Sequence, residues 1–377
     1  MFDVIVCGAG PAGSVAATVL ARRGARVLLV DRARFPRDKL CGDTLNPGTL
    51  RILDRLELRD PIGAKTMPIE GMIVSGENGA RIRASYGDGA RGASLLRRDL
   101  DFALAEAAVR SDARMEEGVL VRRPLVDETS GAPRVRGVVI AGANGQDLRV
   151  PAPLVIAADG RRSRLALALG LIRQPPRPRR WAIGAYFEGV DGMSAFGEMH
   201  VRRGCYVGVA PLPGGLANIC YVSETTDDFS QPAGALWAGI RRDPELAARC
   251  AKARMVTTPR SLGPLAVDAT ACGVPGLLLA GDAAGFIDPM TGDGLRFAIQ
   301  GGELAAQAAF AALADGRAAH HRLAASRRRT FAGKHRFNRT LRALVAAPRA
   351  VSAASAAARV APWAIRHLVD VAGDVTL

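Results

Sequence analysis

Six residues near the start of the chain, Gly8-Ala9-Gly10-Pro11-Ala12-Gly13, restrict its fold more than any others. They follow an apolar run over residues 2–7 that reads as a buried strand, and they open a helix over residues 11–23 rich in alanine. A second strand over residues 25–30 ends in an acid, Asp31, 18 residues beyond the last glycine. In such a βαβ unit Gly8 permits the tight turn, Gly10 lets the backbone approach a pyrophosphate, and Gly13 lets helix and strand pack closely. The helix start at Pro11 and Ala12 offers free N–H groups and partial positive charge to phosphates. Asp31, with Arg32 beside it, is placed for ribose hydroxyls. A lone Gly-x-Gly-x-x-Gly is weak evidence, but here strand, helix and terminal acid all sit where the fingerprint needs them, which predicts a dinucleotide site. The motif alone leaves open which dinucleotide.

The rest of the chain alternates in character. A loop rich in proline and charge (34–47) and a short helix (48–56) lead to two alternating stretches, 69–75 and 80–86, that read as an antiparallel hairpin around Glu77-Asn78-Gly79. A long amphipathic helix over 97–110 follows, then a strand-rich region over 119–156 with a glycine turn at 142–145 and an apolar strand at 154–157. Beyond a linker at 175–180, strand-like runs at 182–187, 205–211 and 217–222 and one helix near 233–251 carry no parallel-sheet signature. From Gly276 the pattern returns to a buried strand (277–280) and a helix (294–313), so the nucleotide-binding domain is discontinuous in sequence. The predicted fold is α/β. It joins a Rossmann-like dinucleotide domain (1–65, 97–172, 263–315), an antiparallel β-sheet substrate domain (66–96, 173–262) and a helical C-terminal region (316–377).

Two later segments carry a family likeness. Ala157-Ala158-Asp159-Gly160-Arg161-Arg162-Ser163-Arg164 and Ala280-Gly281-Asp282-Ala283-Ala284-Gly285-Phe286-Ile287-Asp288-Pro289-Met290-Thr291-Gly292-Asp293-Gly294 resemble the Asp-Gly and Gly-Asp motifs of the para-hydroxybenzoate-hydroxylase-fold flavoproteins. The resemblance implies FAD. Asp282, at the end of a buried strand, can accept from a ribitol or ribose hydroxyl, while Gly281 lets the chain turn beneath the pyrophosphate. Gly292 and Gly294 open the next helix, so its first N–H groups, Leu295 among them, can face the flavin N1–C2=O edge and stabilise the negative charge of a reduced flavin. In the family, Asp159-Gly160 lies near the pyrophosphate and the approach of NAD(P)H, and Arg97 matches an arginine that contacts FAD at the head of the long helix.

Within this fold the chain is most similar to geranylgeranyl reductases. Phe35-Pro36-Arg37-Asp38-Lys39-Leu40-Cys41-Gly42-Asp43 resembles their loop with a Lys-x-Cys-Gly core, and Tyr206 to Pro211 with Gly214-Gly215-Leu216-Ala217-Asn218 resembles their substrate-domain strand and turn. The resemblance implies a substrate pocket that includes Cys41, Asp43, Tyr206 and Pro289. Cys41 reads either as a pocket thiol or as a buried inert one. The aromatic residues of that group between the tyrosine and the proline are replaced by Val207, Gly208, Val209 and Ala210, which reshapes the pocket wall. The Trp-x-Trp-x-Ile-Pro segment of tryptophan-type flavin halogenases is absent; Trp181-Ala182-Ile183-Gly184 does not fit it.

Composition narrows the remaining choices. At 377 residues and 49% hydrophobic content the chain can bury a large core, and no apolar run approaches the ~18 residues of a membrane span. The start, with no basic leader, predicts a cytoplasmic protein. Six scattered cysteines form no C-x-x-C pair, so no metal site is expected. The net charge of +15 rests almost wholly on arginine, and residues 317–349 hold ten basic side chains and no acid, interleaved with Leu323, Phe331, Phe337, Leu341 and Leu344. That segment reads as a solvated helical face or as a peripheral contact with an anionic membrane; no nucleic-acid partner is expected. His200, His320, His321, His335 and His367 fall outside every motif, and no residue is singled out as catalytic acid or base. The expected activity is reduction of FAD by NAD(P)H, as a transient co-substrate, and then redox chemistry on a hydrophobic small molecule. Reduction of an isoprenoid or lipid-like double bond leads, with monooxygenation and a non-enzymatic basic flavoprotein as alternatives.

Overall fold

The computed structural model describes residues 1–39, 43–127, 133–142, 144–175, 180–224, 229–286, 290, 292–346, 354, 356 and 362–375. A six-stranded sheet lies at its centre, in the order Gly273–Val274, Leu277–Leu279, Leu154–Ala157, Val4–Cys7, Val27–Asp31, Arg114–Glu117. All pairs are parallel except the first, which is an antiparallel edge. The four inner strands are apolar on both faces because both are covered, whereas the edge strand Arg114–Glu117 is polar and partly exposed. Val4, Val6, Leu29, Ile156 and Leu278 face the helices Pro11–Ala21 and Gly294–Asp315. Ile5, Cys7, Leu28, Val155 and Leu279 face the helix Arg164–Ala168 and a three-stranded antiparallel sheet carrying Val121, Val135 and Val138.

The second large sheet runs Arg254–Met255, Trp181–Glu188, Leu216–Ser223, Cys205–Pro211, Phe196–Arg202, Gly71–Ser75, Arg81–Ser85, with Arg260–Leu262 also on Trp181–Glu188. It is antiparallel apart from one pair, Phe196–Arg202 beside Gly71–Ser75, which are far apart in sequence and meet in parallel. The strand Phe196–Arg202 has no counterpart among the predicted runs. The single helix predicted near 233–251 is two helices, Pro232–Arg241 and Pro244–Arg249. Pro244 has no N–H to continue the first helix, and Asp243 caps the second by accepting from the Leu246 amide at 3.0 Å.

The C-terminal region is helical where described, as Ala319–Ala346 and Pro362–Gly373. Leu323, Phe331 and Lys334 of its basic segment are turned inward, whereas Arg328, Arg329, Arg336 and Arg339 are exposed. Lys334 donates to the Val371 and Ala372 carbonyls at 2.8 and 2.7 Å and meets Asp293 and Asp374, which fastens the last helix against the core. No helix among the described residues is long and apolar enough to cross a membrane.

Candidate active site

The first strand and helix meet without room for side chains. A Cβ at Gly13 would lie 1.8 Å from the Gly8 carbonyl oxygen, and Gly8 itself has φ +103° with the Ala158 carbonyl pressed against it. The helix Pro11–Ala21 starts from Gly10 with no side-chain cap, so the amides of Ala12 and Gly13 are left to a ligand. Asp31 is held by the Ala9 and Ala33 amides, both at 2.8 Å, one on each oxygen. Each oxygen keeps a lone pair. Arg32 is exposed.

Facing this turn is a group of cations. Arg97 is buried and donates to Asp101 Oδ1 and Oδ2 at 3.0 and 3.1 Å. Arg37 lies 3.1 Å from Asp101 and approaches the open side of Gly10. Lys39 opens to the same space but is ringed by protein; this desolvation, with Arg97 and Arg37 adding positive charge, lowers its pKa against the pull of Asp282 and Asp101. Three cations against Asp101 and Asp282 leave positive charge for a pyrophosphate, so the residues present fit an FAD. Sequence reasoning found Arg97 but gave no role to Arg37, Lys39 or Asp101; the four-residue spacing of Arg97 and Asp101 on one helix was the available signal.

Gly281, at φ +61°, packs against Ala12, and Gly292, at φ +68°, has open space where a Cβ would be. Helix Gly294–Asp315 also begins without a side-chain cap, because Asp293 turns its carboxylate away to Asn338 and Asn46 at 2.8 and 3.1 Å. The first amides of that helix, Leu295 included, therefore remain free. Asp159 accepts from the Arg164 amide at 2.9 Å, at the start of the helix Arg164–Ala168 that Ser163 caps, while its buried Oδ1 has no partner among the described residues. Gly160, at φ +85°, faces open space.

The two sheets meet at Asp43. Its carboxylate accepts from the Arg97 amide at 2.8 Å, from the Tyr186 hydroxyl at 3.1 Å and from the Asn218 amide. Burial raises its pKa to about 6, against the lowering effect of Asn218, Arg97 and Tyr186. Tyr186 and Asn218 are register partners on neighbouring strands. On the same sheet face Gly184, Cys220 and Gly208 stand side by side across three strands, forming a row of small residues. Beyond that row Tyr206 packs with Ala182, Val222 and Met290. Val207 and Val209 point the other way, into the core beneath the helices, so only Gly208 and Ala210 widen this wall. Asp43 and Tyr206 thus lie toward opposite ends of this row of small residues, while Cys41 and Pro289 lie outside the described residues.

His200 stands on the far face of that sheet. It bridges Asp243 and Glu198 at 2.6 and 2.9 Å, and Arg249 and Arg202 complete a buried ionic network.

Residues 1–200, more than half of the chain, match the family described as FAD binding domain. The chain belongs to this FAD-binding family. It is 30% identical to a menaquinone reductase of Mycolicibacterium smegmatis, over 81% of this chain and 75% of that one. It is 32% identical to digeranylgeranylglycerophospholipid reductase 1 of Methanopyrus kandleri, over 83% and 82%. Among solved structures, the myxobacterial chondrochloren halogenase CndH superposes with a TM-score of 0.83 at 24% identity, over 97% of this chain and 90% of that one, a likeness of fold. The protein is an FAD-dependent oxidoreductase of the geranylgeranyl-reductase-like kind, which removes the non-enzymatic alternative.

Proposed function

We propose that this FAD-dependent oxidoreductase uses NAD(P)H to reduce a carbon–carbon double bond of an isoprenoid or comparable lipid-like molecule. FAD, when bound, would supply the hydride chemistry between the dinucleotide and one alkene carbon. The Gly8–Gly13 turn with Arg37, Lys39 and Arg97 would hold the pyrophosphate, and Asp31, Asp159-Gly160 and Asp282 would meet the sugar and phosphate groups. The free amides after Gly292 and Gly294 stabilise negative charge at the flavin edge. The sheet face at Gly184, Cys220 and Gly208, free of large side chains, seats an apolar chain and keeps water from it. Asp43 donates the proton to the second alkene carbon, and Tyr186 and Asn218 hold its carboxyl in place.

The observation that carries this reading is the buried Asp43 carboxyl, held by Tyr186 and Asn218 beside the row of small residues Gly184, Cys220 and Gly208, with burial raising its pKa to about 6. A hydride acceptor of this kind needs a proton source there, and relatives named as reductases of a menaquinone and of a digeranylgeranylglycerophospholipid support the substrate class. Anaerobic mixing tests it. NAD(P)H is expected to bleach the flavin, and a prenylated lipid or quinone is expected to restore its colour and leave with two more hydrogens. A substrate that emerges carrying an oxygen atom from O2, with no anaerobic turnover, would instead establish a monooxygenase.

A further inference from the structure

Aspartate is among the best residues for capping a helix, because its carboxylate can accept from the amides two and three places on. Asp293 stands at that position before the helix Gly294–Asp315, and its carbonyl accepts the first helical hydrogen bond, from the Phe297 amide at 2.9 Å. Its carboxylate nevertheless accepts from no amide of the helix. The residue is buried, and its backbone lies at φ −82° and ψ −1°, outside the extended region that a capping residue adopts. A ready cap is thus held off the helix that it precedes.

Three side chains from two distant parts of the chain do the holding. Asn338 and Lys334, one turn apart on the helix Ala319–Ala346, reach Asp293 Oδ2 at 2.8 Å and Oδ1 at 3.3 Å. Asn46, three residues after Asp43 and itself the cap of the helix Pro47–Arg55, donates to Oδ1 at 3.1 Å. Asn338 is buried, and its own Oδ1 goes without a partner among the described residues while its amide serves Asp293. A buried polar atom left bare is costly, and that cost is borne by the residue that draws the carboxylate aside. Burial pushes the Asp293 carboxyl up, and Lys334 and Asn338 pull it down, so the two residues that orient the carboxylate also favour its charged form.

We propose that Asn338 and Lys334, with Asn46, are positioning residues that keep Asp293 from capping its own helix and so leave the Leu295 and Arg296 amides to the flavin edge. The inference rests on the reading above in which the first amides of this helix meet the flavin. Once released, the carboxylate reaches those amides by rotation of a backbone that Gly292 and Gly294 flank. It then sets a negative charge where a reduced flavin carries its own. The reduced form is therefore penalised more than the oxidised one.

The midpoint potential of FAD-loaded protein, taken by slow reduction beside a reference dye, tests this without any substrate. Asn338→Ala is the cleaner variant, because it changes no charge, whereas Lys334 also holds the last helix. The unaltered protein is expected to hold its flavin at a potential above that of free FAD. In Asn338→Ala the preference for reduced over oxidised flavin is expected to fall about tenfold, which lowers the two-electron potential by about 30 mV. A crystal structure of that variant is expected to show an Asp293 oxygen on the Leu295 or Arg296 amide. In protein already carrying Asp293→Ala, the change at Asn338 is expected to leave the potential where it was, because no carboxylate remains to cap. Asn338→Leu, close in size and unable to donate, gives the same reading if loss of packing unfolds the alanine variant. An unchanged potential overturns the proposal, as does a fall that persists alongside Asp293→Ala or one in which the carboxylate keeps its present place. A potential no higher than that of free FAD in the unaltered protein removes the reading of the amides themselves, and the proposal with it.

Discussion

Around the parallel sheet the chain prepares for its ligand with bare backbone, whereas around the mixed sheet it does so with side chains brought in from distant segments. On the first side the groups proposed to meet the ligand are the uncapped amides after Gly10 and Asp293 and the turns at Gly8, Gly281 and Gly292. On the second side they are Asp43, Tyr186 and Asn218, which meet only because two strands pair in one register and a loop crosses above them. Backbone sites tolerate almost no substitution, because the requirement is the absence of a Cβ. Side-chain sites tolerate substitution in shape but not in chemistry.

The largest effect is expected where that difference is sharpest. Gly13→Val places its branched side chain on the Gly8 carbonyl, where a Cβ alone would lie at 1.8 Å, and is expected to cost about 3 kcal/mol and abolish FAD retention. Gly160→Ala is the matched control. Nothing lies within 4 Å of its Cβ position, so only the left-handed backbone, at φ +85°, resists it, by about 1–2 kcal/mol. Flavin absorbance per chain after gel filtration separates the two. Equal retention by both variants would break the distinction between a packed glycine and a merely left-handed one.

On the side-chain half the next effect is chemical. Asp43→Asn keeps the size and polarity of the residue but cannot donate the same proton, so turnover is expected to fall about 100-fold with FAD still bound. The donating form is the carboxylic acid, so turnover of the unaltered protein is expected to decline as pH rises through about 6, and the variant is expected to lose that limb. The folded-state pKa is raised, so stability from this group is full below the ordinary carboxyl value of 3.8 and is lost as pH rises through about 6. Asp43→Asn is therefore expected to melt higher than the unaltered protein at pH 8. Full activity in the variant would mean that the proton comes from elsewhere.

These two halves were not equally legible in the sequence. Gly8 to Gly13 and Asp31 could be read directly, because a backbone requirement admits one residue type at a fixed spacing, whereas the Gly281 to Gly294 segment was reached through family likeness and then given a physical reason. Asp43 was placed by family likeness alone. Its partners Tyr186 and Asn218 carry no local signature, since their meeting depends on strand register rather than on spacing. The strand Phe196–Arg202 escaped notice because Glu198, His200 and Arg202 break its apolar pattern, and they do so because one face holds the ionic network. The helix break at Asp243-Pro244 was readable in principle, as a capping acid before a proline.

The smallest effect sharpens the comparison from within the mixed sheet, whose two faces are expected to behave differently. His200 sits on the sheet face opposite Gly208 and Cys220, so His200→Gln is expected to leave turnover per bound FAD unchanged while lowering stability by about 1–2 kcal/mol. The pH dependence identifies the cause. Burial alone would depress the imidazole pKa, but Asp243 and Glu198 more than reverse this and raise it. Stability from His200 is therefore fully present below the ordinary value of 6.5 and is lost as pH rises through the raised value. Its carboxylate partners act in the opposite sense. Burial would raise them, yet His200 with Arg249 brings Glu198 to about 2, and His200 with the Leu246 amide and Arg202 brings Asp243 to about 2. Their contribution holds above the ordinary carboxyl values and disappears as pH falls toward 2. Thermal melts of the unaltered protein and His200→Gln are thus expected to differ most near pH 5.5 and to converge in alkali. A gap that stays constant with pH would reduce the network to neutral packing, and a loss of turnover at unchanged melting temperature would move His200 to the working face of the sheet.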